Sequence, residues 1–118
     1  KQEIKMAIGS AAIMFNIDFV VDNLNLRFFF DAIVSADEVK VSKPDPETYL
    51  SCSSLLKVEP ADCIVFEDSP KGVESALLGG MKAVVLTTMH EAHEFDTYSN
   101  VLMCVKDYTD QRLLTLFE

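Results

Sequence analysis

Two adjacent carboxylates, Glu67 and Asp68, close the apolar run Cys63-Ile64-Val65-Phe66. Ser69 and Pro70 follow as a helix N-cap and first helical residue, and Gly79-Gly80 supply a stop. This pattern predicts a buried strand that carries both acids to the carboxyl edge of a sheet, where open α/β folds place ligands. Side by side, the acids repel unless a positive charge lies between them, and a hard cation such as Mg²⁺ suits such oxygen donors. A reading without metal also exists, because an acid before a helix satisfies free N–H groups and the helix dipole.

Lys43 is the second candidate. It lies in Val41-Ser42-Lys43-Pro44-Asp45-Pro46, where the following proline drives its backbone away from helical angles. A lysine in a rigid loop between a strand and a helix can hold a fixed anion, although a loop lysine is equally at home in solvent. Loops that follow successive parallel strands emerge on the same edge, so Lys43 should converge with Glu67 and Asp68. Ser10 comes after one strand and before one helix, the equivalent place one unit earlier. Its hydroxyl is either an ordinary cap or a phosphate contact, and a helix N-terminus allows both.

The elements that must position these residues alternate along the chain. Ile4 to Ile8, Ala32 to Ala36, Ala61 to Phe66, Ala83 to Thr87 and Val101 to Val105 read as short buried strands. Between them, Ala11 to Leu24 places Ile13, Ile17, Val20 and Leu24 on one helical face. Asp45-Pro46-Glu47 opens a helix that runs to about Lys57, and Lys71 to Leu78 and Gln111 to Phe117 read as two more. Phe28-Phe29-Phe30 is an aromatic cluster expected to pack in the core. Strands joined by helices require crossovers, hence a parallel sheet covered on both faces and an α/β fold.

Composition narrows the function. The chain has 118 residues, one domain at most, and 49% of them are apolar with a mean hydropathy of +0.18. A net charge of −9 argues against nucleic acid and anionic membrane, which need a positive footprint. No apolar run is long enough to span a membrane, and no secretory signal is visible, so a cytoplasmic location is expected. Cys52, Cys63 and Cys104 show no paired spacing and read as reduced core or near-core residues. His90 and His93 lack a third ligand nearby and read as solvated loop residues.

The ordered stretches MAIGSAA, FFFDAIVSADEVKVSKPDPETYL and CIVFEDSPKGVESALLGGMKAVVL lie within roughly residues 4 to 88. Together they resemble the carboxyl-terminal part of haloacid dehalogenase superfamily hydrolases, specifically the β-phosphoglucomutase-like phosphatases. The resemblance implies a Rossmann-like three-layer α/β/α parallel sheet, with residues 1–118 forming a partial core domain that holds the second to fourth motifs. It implies that Ser10 binds the transferring phosphoryl group and that Lys43 neutralises phosphate and nucleophile. Glu67 and Asp68 would hold Mg²⁺, the substrate would be a small phosphorylated metabolite, and the chemistry phosphoryl transfer through an aspartyl-phosphate.

The chain departs from the family at its first motif. No Asp-x-Asp sequence supplies a nucleophile and general acid/base, and the helical cap is absent. The chain therefore reads as a fragment that begins after the cap and is inactive by itself. The resemblance also places the missing first strand between Ile4–Ile8 and Ala61–Phe66, so its loss should leave two apolar edges. Self-association, or capture of a complementing amino-terminal piece, is expected. Ala11, Ala12, Ile13 and Met14 stand where several relatives carry polar residues, which favours a phosphatase over a mutase. Two other readings are a non-catalytic module that binds a cation or partner, and a dehalogenase. The paired acids speak against the dehalogenase.

Overall fold

The computed structural model describes residues 4–12 and 14–116. Five strands and three helices alternate: β1 (Ala7–Gly9), α1 (Met14–Asn23), β2 (Ala32–Val34), α2 (Glu47–Leu56), β3 (Ile64–Glu67), α3 (Pro70–Leu78), β4 (Lys82–Leu86) and β5 (Val101–Val105). Every strand pair is parallel, as crossover connections require. The strands form two sheets. β1 pairs with β2, Ile8 opposite Ile33, while β3, β4 and β5 lie in that order with Phe66 opposite Val84. Among the described residues no ladder joins β1 to β3.

Helix α2 packs on β1 and β2 and touches α3, which covers β3 and β4. One core cluster joins Tyr49, Val65, Ala76 and Met81 across α2, β3 and α3. A second joins Val73, Ala83, Val85 and Phe95. Close packing of α2 on β1 depends on Gly9, where an added Cβ would sit 3.0 Å from both Cys52 Sγ and Thr48 Cγ2. Ser69 caps α3 by accepting from the Gly72 N–H at 3.1 Å, with Pro70 first in the helix. The α2 opening differs by one position from expectation: Pro46 precedes the first helical residue, and Asp45 Oδ1 accepts from the Glu47 N–H at 2.9 Å. Lys57 ends α2 in the left-handed region, φ 58°.

Several expectations are corrected. The first strand covers Ala7–Gly9, and Ala61 lies in a 3₁₀ turn, Pro60–Asp62, before β3. The segment Gln111–Thr115 is a 3₁₀ turn instead of an α-helix, and Phe117 lies outside the described residues. In α1 the buried residues are Ile17 and Val21, an i, i+4 pair, whereas Val20 and Leu24 face solvent; Ile13 lies outside the described residues. Phe28 is 98% exposed and Phe29 is exposed too. Arg27 in the same turn reaches Asp18 at 2.6 Å and Asp22 at 2.7 Å on α1. The aromatic cluster expected in the core is therefore on the surface among the described residues, beside the exposed Arg27 ion pairs.

Candidate active site

The site grows from the ends of β1 and β3 and from the loop before α2. Lys43 crosses between them. Its Nζ donates to the Gly9 carbonyl at the end of β1 (3.2 Å), to the Tyr49 hydroxyl on α2 (3.0 Å) and to Glu67 Oε2 at the end of β3 (3.4 Å). The Lys43 and Glu67 side chains retain 17% and 10% of their exposure, so the pair is largely shielded. The loops carrying Ser10, Lys43 and Glu67-Asp68 therefore meet, as their places after successive strands predict. The repulsion foreseen between the two acids is answered in part by this lysine from the neighbouring loop.

Glu67 is held from several sides. The Tyr49 hydroxyl donates to Oε2, and Oε1 accepts from the Asp68 N–H (3.0 Å) and the Ser69 hydroxyl (3.3 Å). A carboxylate has about four lone-pair sites, and four donors are in place. Burial opposes the Glu67 charge, yet the Tyr49 hydroxyl, Lys43 and the Asp68 N–H outweigh it and hold the carboxyl below its ordinary value of 4.5. Its contribution to folding is therefore complete above the unfolded carboxyl's value and lost as pH falls through the lowered folded value. From about pH 5 downward, the thermal midpoint of the wild type should drop more steeply than that of Glu67→Gln. Parallel midpoint-versus-pH curves from calorimetry would show that Glu67 makes no such contribution.

Asp68 is exposed beyond the strand end. Glu67 and Asp68 are hard oxygen donors, which fits Mg²⁺, an ion held by one or two carboxylates with water and substrate phosphate completing its octahedron. Among the described residues no group of three or more His, Cys, Asp or Glu converges as a metal cage. Asp68 is the exposed acid, and Glu67 would join it on an ion only by exchanging one of its four protein donors for the metal.

Ser10 terminates β1, its N–H donating to the Val34 carbonyl (2.9 Å), and its hydroxyl accepts from the Ala12 N–H (3.0 Å). It therefore shapes the turn before α1. The cap reading passes in part to Asp37, whose Oδ2 accepts from the Met14 N–H at 2.9 Å. Nothing local in the sequence indicates Asp37, because that bond spans two loops. Tyr49 is the other residue that the sequence reading does not single out. The three cysteines are free, and burial pushes the Cys52 thiol up to about 11, which keeps it protonated at neutral pH. His90 Nδ1 lies 3.0 Å from Glu94 Oε1 in a surface turn.

Residues 1–86 match the family described as haloacid dehalogenase-like hydrolase. The chain is 42% identical over 79 residues to the fructose-1-phosphate phosphatase YqaB of Escherichia coli strain K12, covering 67% of this chain and 42% of that protein. It is 33% identical over 86 residues to hexitol phosphatase B of the same strain, covering 73% and 39%. Among solved structures, a β-phosphoglucomutase from Clostridium difficile superimposes with a TM-score of 0.78 at 26% identity, covering 94% of this chain and 47% of that one. The chain thus spans less than half the length of these relatives.

Proposed function

Because the chain belongs to the haloacid dehalogenase-like hydrolases, we propose that it forms part of a Mg²⁺-dependent phosphatase or phosphomutase acting on a small phosphorylated sugar or polyol. The observation that carries this reading is Lys43, whose ammonium meets the β1 end beside Ser10 and the β3 end beside Asp68. A cation fixed among three loops at one sheet edge suits a phosphoryl group, whose charge it offsets. Ser10 offers a hydroxyl at the same edge. Asp68, with Glu67, would hold Mg²⁺, and the ion when bound supplies charge stabilisation to phosphoryl oxygens. The substrate class is supported by the named activities of the relatives, fructose-1-phosphate and hexitol phosphatases. Alanines at positions 11 and 12, which cannot hydrogen-bond to substrate through their side chains, favour the phosphatase over the mutase.

The nucleophile is not among these residues, since no Asp-x-Asp occurs in the chain. The 118-residue chain by itself is accordingly inactive, and its unpaired β1 and β3 edges favour self-association or uptake of a complementing piece. No described helix is long and apolar enough to cross a membrane. The test is phosphate release from hexose and hexitol monophosphates by the complete protein, with chelator and with Mg²⁺ restored, beside the isolated chain. Release that stops with chelator and returns with Mg²⁺ is expected, with none from the isolated chain, which should not run as a single monodisperse monomer. Chelator-insensitive turnover, or none on any phosphomonoester, would sink the assignment.

A further inference from the structure

We propose that Tyr49 is a positioning residue of this site: its hydroxyl keeps the Glu67 carboxylate satisfied, which frees Lys43 to turn its ammonium towards a phosphoryl oxygen. The inference rests on the phosphoryl-transfer reading above. An ammonium has three N–H donors. All three of Lys43 are directed at protein acceptors, the Gly9 carbonyl, the Tyr49 hydroxyl and Glu67 Oε2. To meet a phosphoryl oxygen one must be released, and the Glu67 contact at 3.4 Å is the longest.

Releasing that contact is costly if it strands a shielded carboxylate oxygen, because leaving one member of a buried pair uncompensated is the expensive step. Tyr49 removes the penalty. Its hydroxyl donates to the same Oε2 and accepts from Lys43, so Glu67 keeps a donor when the lysine departs. The ring also lies within cation–π range of the ammonium, 4.5 Å from Nζ to its centroid. Tyr49 is itself only 8% exposed, on the face of α2 that packs against Val65, Ala76 and Met81. A phenylalanine would fill that volume without a buried hydroxyl to satisfy, so the oxygen needs a reason beyond packing.

The experiment is a double-mutant cycle on the complete protein, reading inorganic phosphate affinity by calorimetry without divalent cation. Tyr49→Phe should bind phosphate about tenfold more weakly, with KM for a hexose monophosphate raised in proportion and kcat changed less, and with a lowered thermal midpoint from the lost hydrogen bond to Glu67. In a Lys43→Met background, Tyr49→Phe should add no further loss. In a Glu67→Gln background, where no shielded charge needs the hydroxyl, it should again cost nothing. That second background keeps the test alive if Tyr49→Phe alone does not fold. Unchanged phosphate affinity in Tyr49→Phe, or a full additional loss in either background, would overturn the role of Tyr49 and leave phosphoryl transfer standing. A wild type that neither binds phosphate nor hydrolyses a phosphomonoester would overturn both.

Discussion

Asp68→Ala in the complete protein is expected to lower phosphatase turnover about a thousandfold, with little change in thermal midpoint. Stabilisation of phosphoryl charge by a bound cation is worth several kcal/mol, and about 4 kcal/mol corresponds to three powers of ten in rate. Asp68 is the acid on which that loss should fall. Glu67 is already surrounded by Tyr49, Lys43, the Asp68 N–H and Ser69. Asp68, exposed past the end of β3, has its carboxylate open to solvent and to a cation. Its exposure is also why the fold should tolerate alanine there, since exposed charges contribute little to stability. Steady-state rates across a Mg²⁺ titration decide the matter. Retained turnover with an unaltered Mg²⁺ requirement would remove Asp68 from the metal set.

Gly72→Ala is expected to damage both site and fold, by about 2 kcal/mol of stability and about a hundredfold in activity. The Cβ of such an alanine would lie 1.9 Å from Glu67 Cδ and 2.0 Å from Oε2. No side chain approaches so closely, so the Glu67 carboxylate must leave its place against the first turn of α3. In leaving, it gives up the Tyr49 hydroxyl and Lys43 together. The sign of the effect discriminates sharply. Gly72 is a helical residue whose backbone lies outside the left-handed region, and intrinsic propensity alone predicts that alanine there stabilises by about 1 kcal/mol. Chemical denaturation settles which term wins. A more stable Gly72→Ala protein with normal turnover would mean that Glu67 does not occupy this position in solution.

What could be read from the sequence, and what could not, divides along physical lines. Local rules served well where a signal and its effect are neighbours. Ser69-Pro70 opened α3, Val101–Val105 formed β5 with the expected bounds, and successive strand ends brought Lys43 to Glu67. The α/β class followed from alternation, and the similarity of the chain to solved relatives agrees with it. The failures needed knowledge of what each face meets. Helical spacing in α1 put Val20 on the apolar stripe, whereas packing buries Val21 beside Ile17. Phe28 and Phe29 looked like core because an apolar run does not reveal which face of the fold its turn will meet, and the structure leaves both exposed. Tyr49 carries no distinguishing signal in its own run, because its hydroxyl acquires meaning only through Lys43 and Glu67, which reach it from two other segments.

The seam between the two sheets makes cohesion depend on occupancy. Gly9 and Ser10 belong to one side, Glu67 and Asp68 to the other, and among the described residues no backbone ladder joins β1 to β3. An anion and its counter-cation bound there would touch both sides at once and act as a staple. By mass action, a ligand held only by the closed arrangement adds about 2.7 kcal/mol at a hundredfold excess over its dissociation constant. A ligand that bridged the seam would therefore protect the isolated chain from unfolding, by an amount that grows with the logarithm of its concentration.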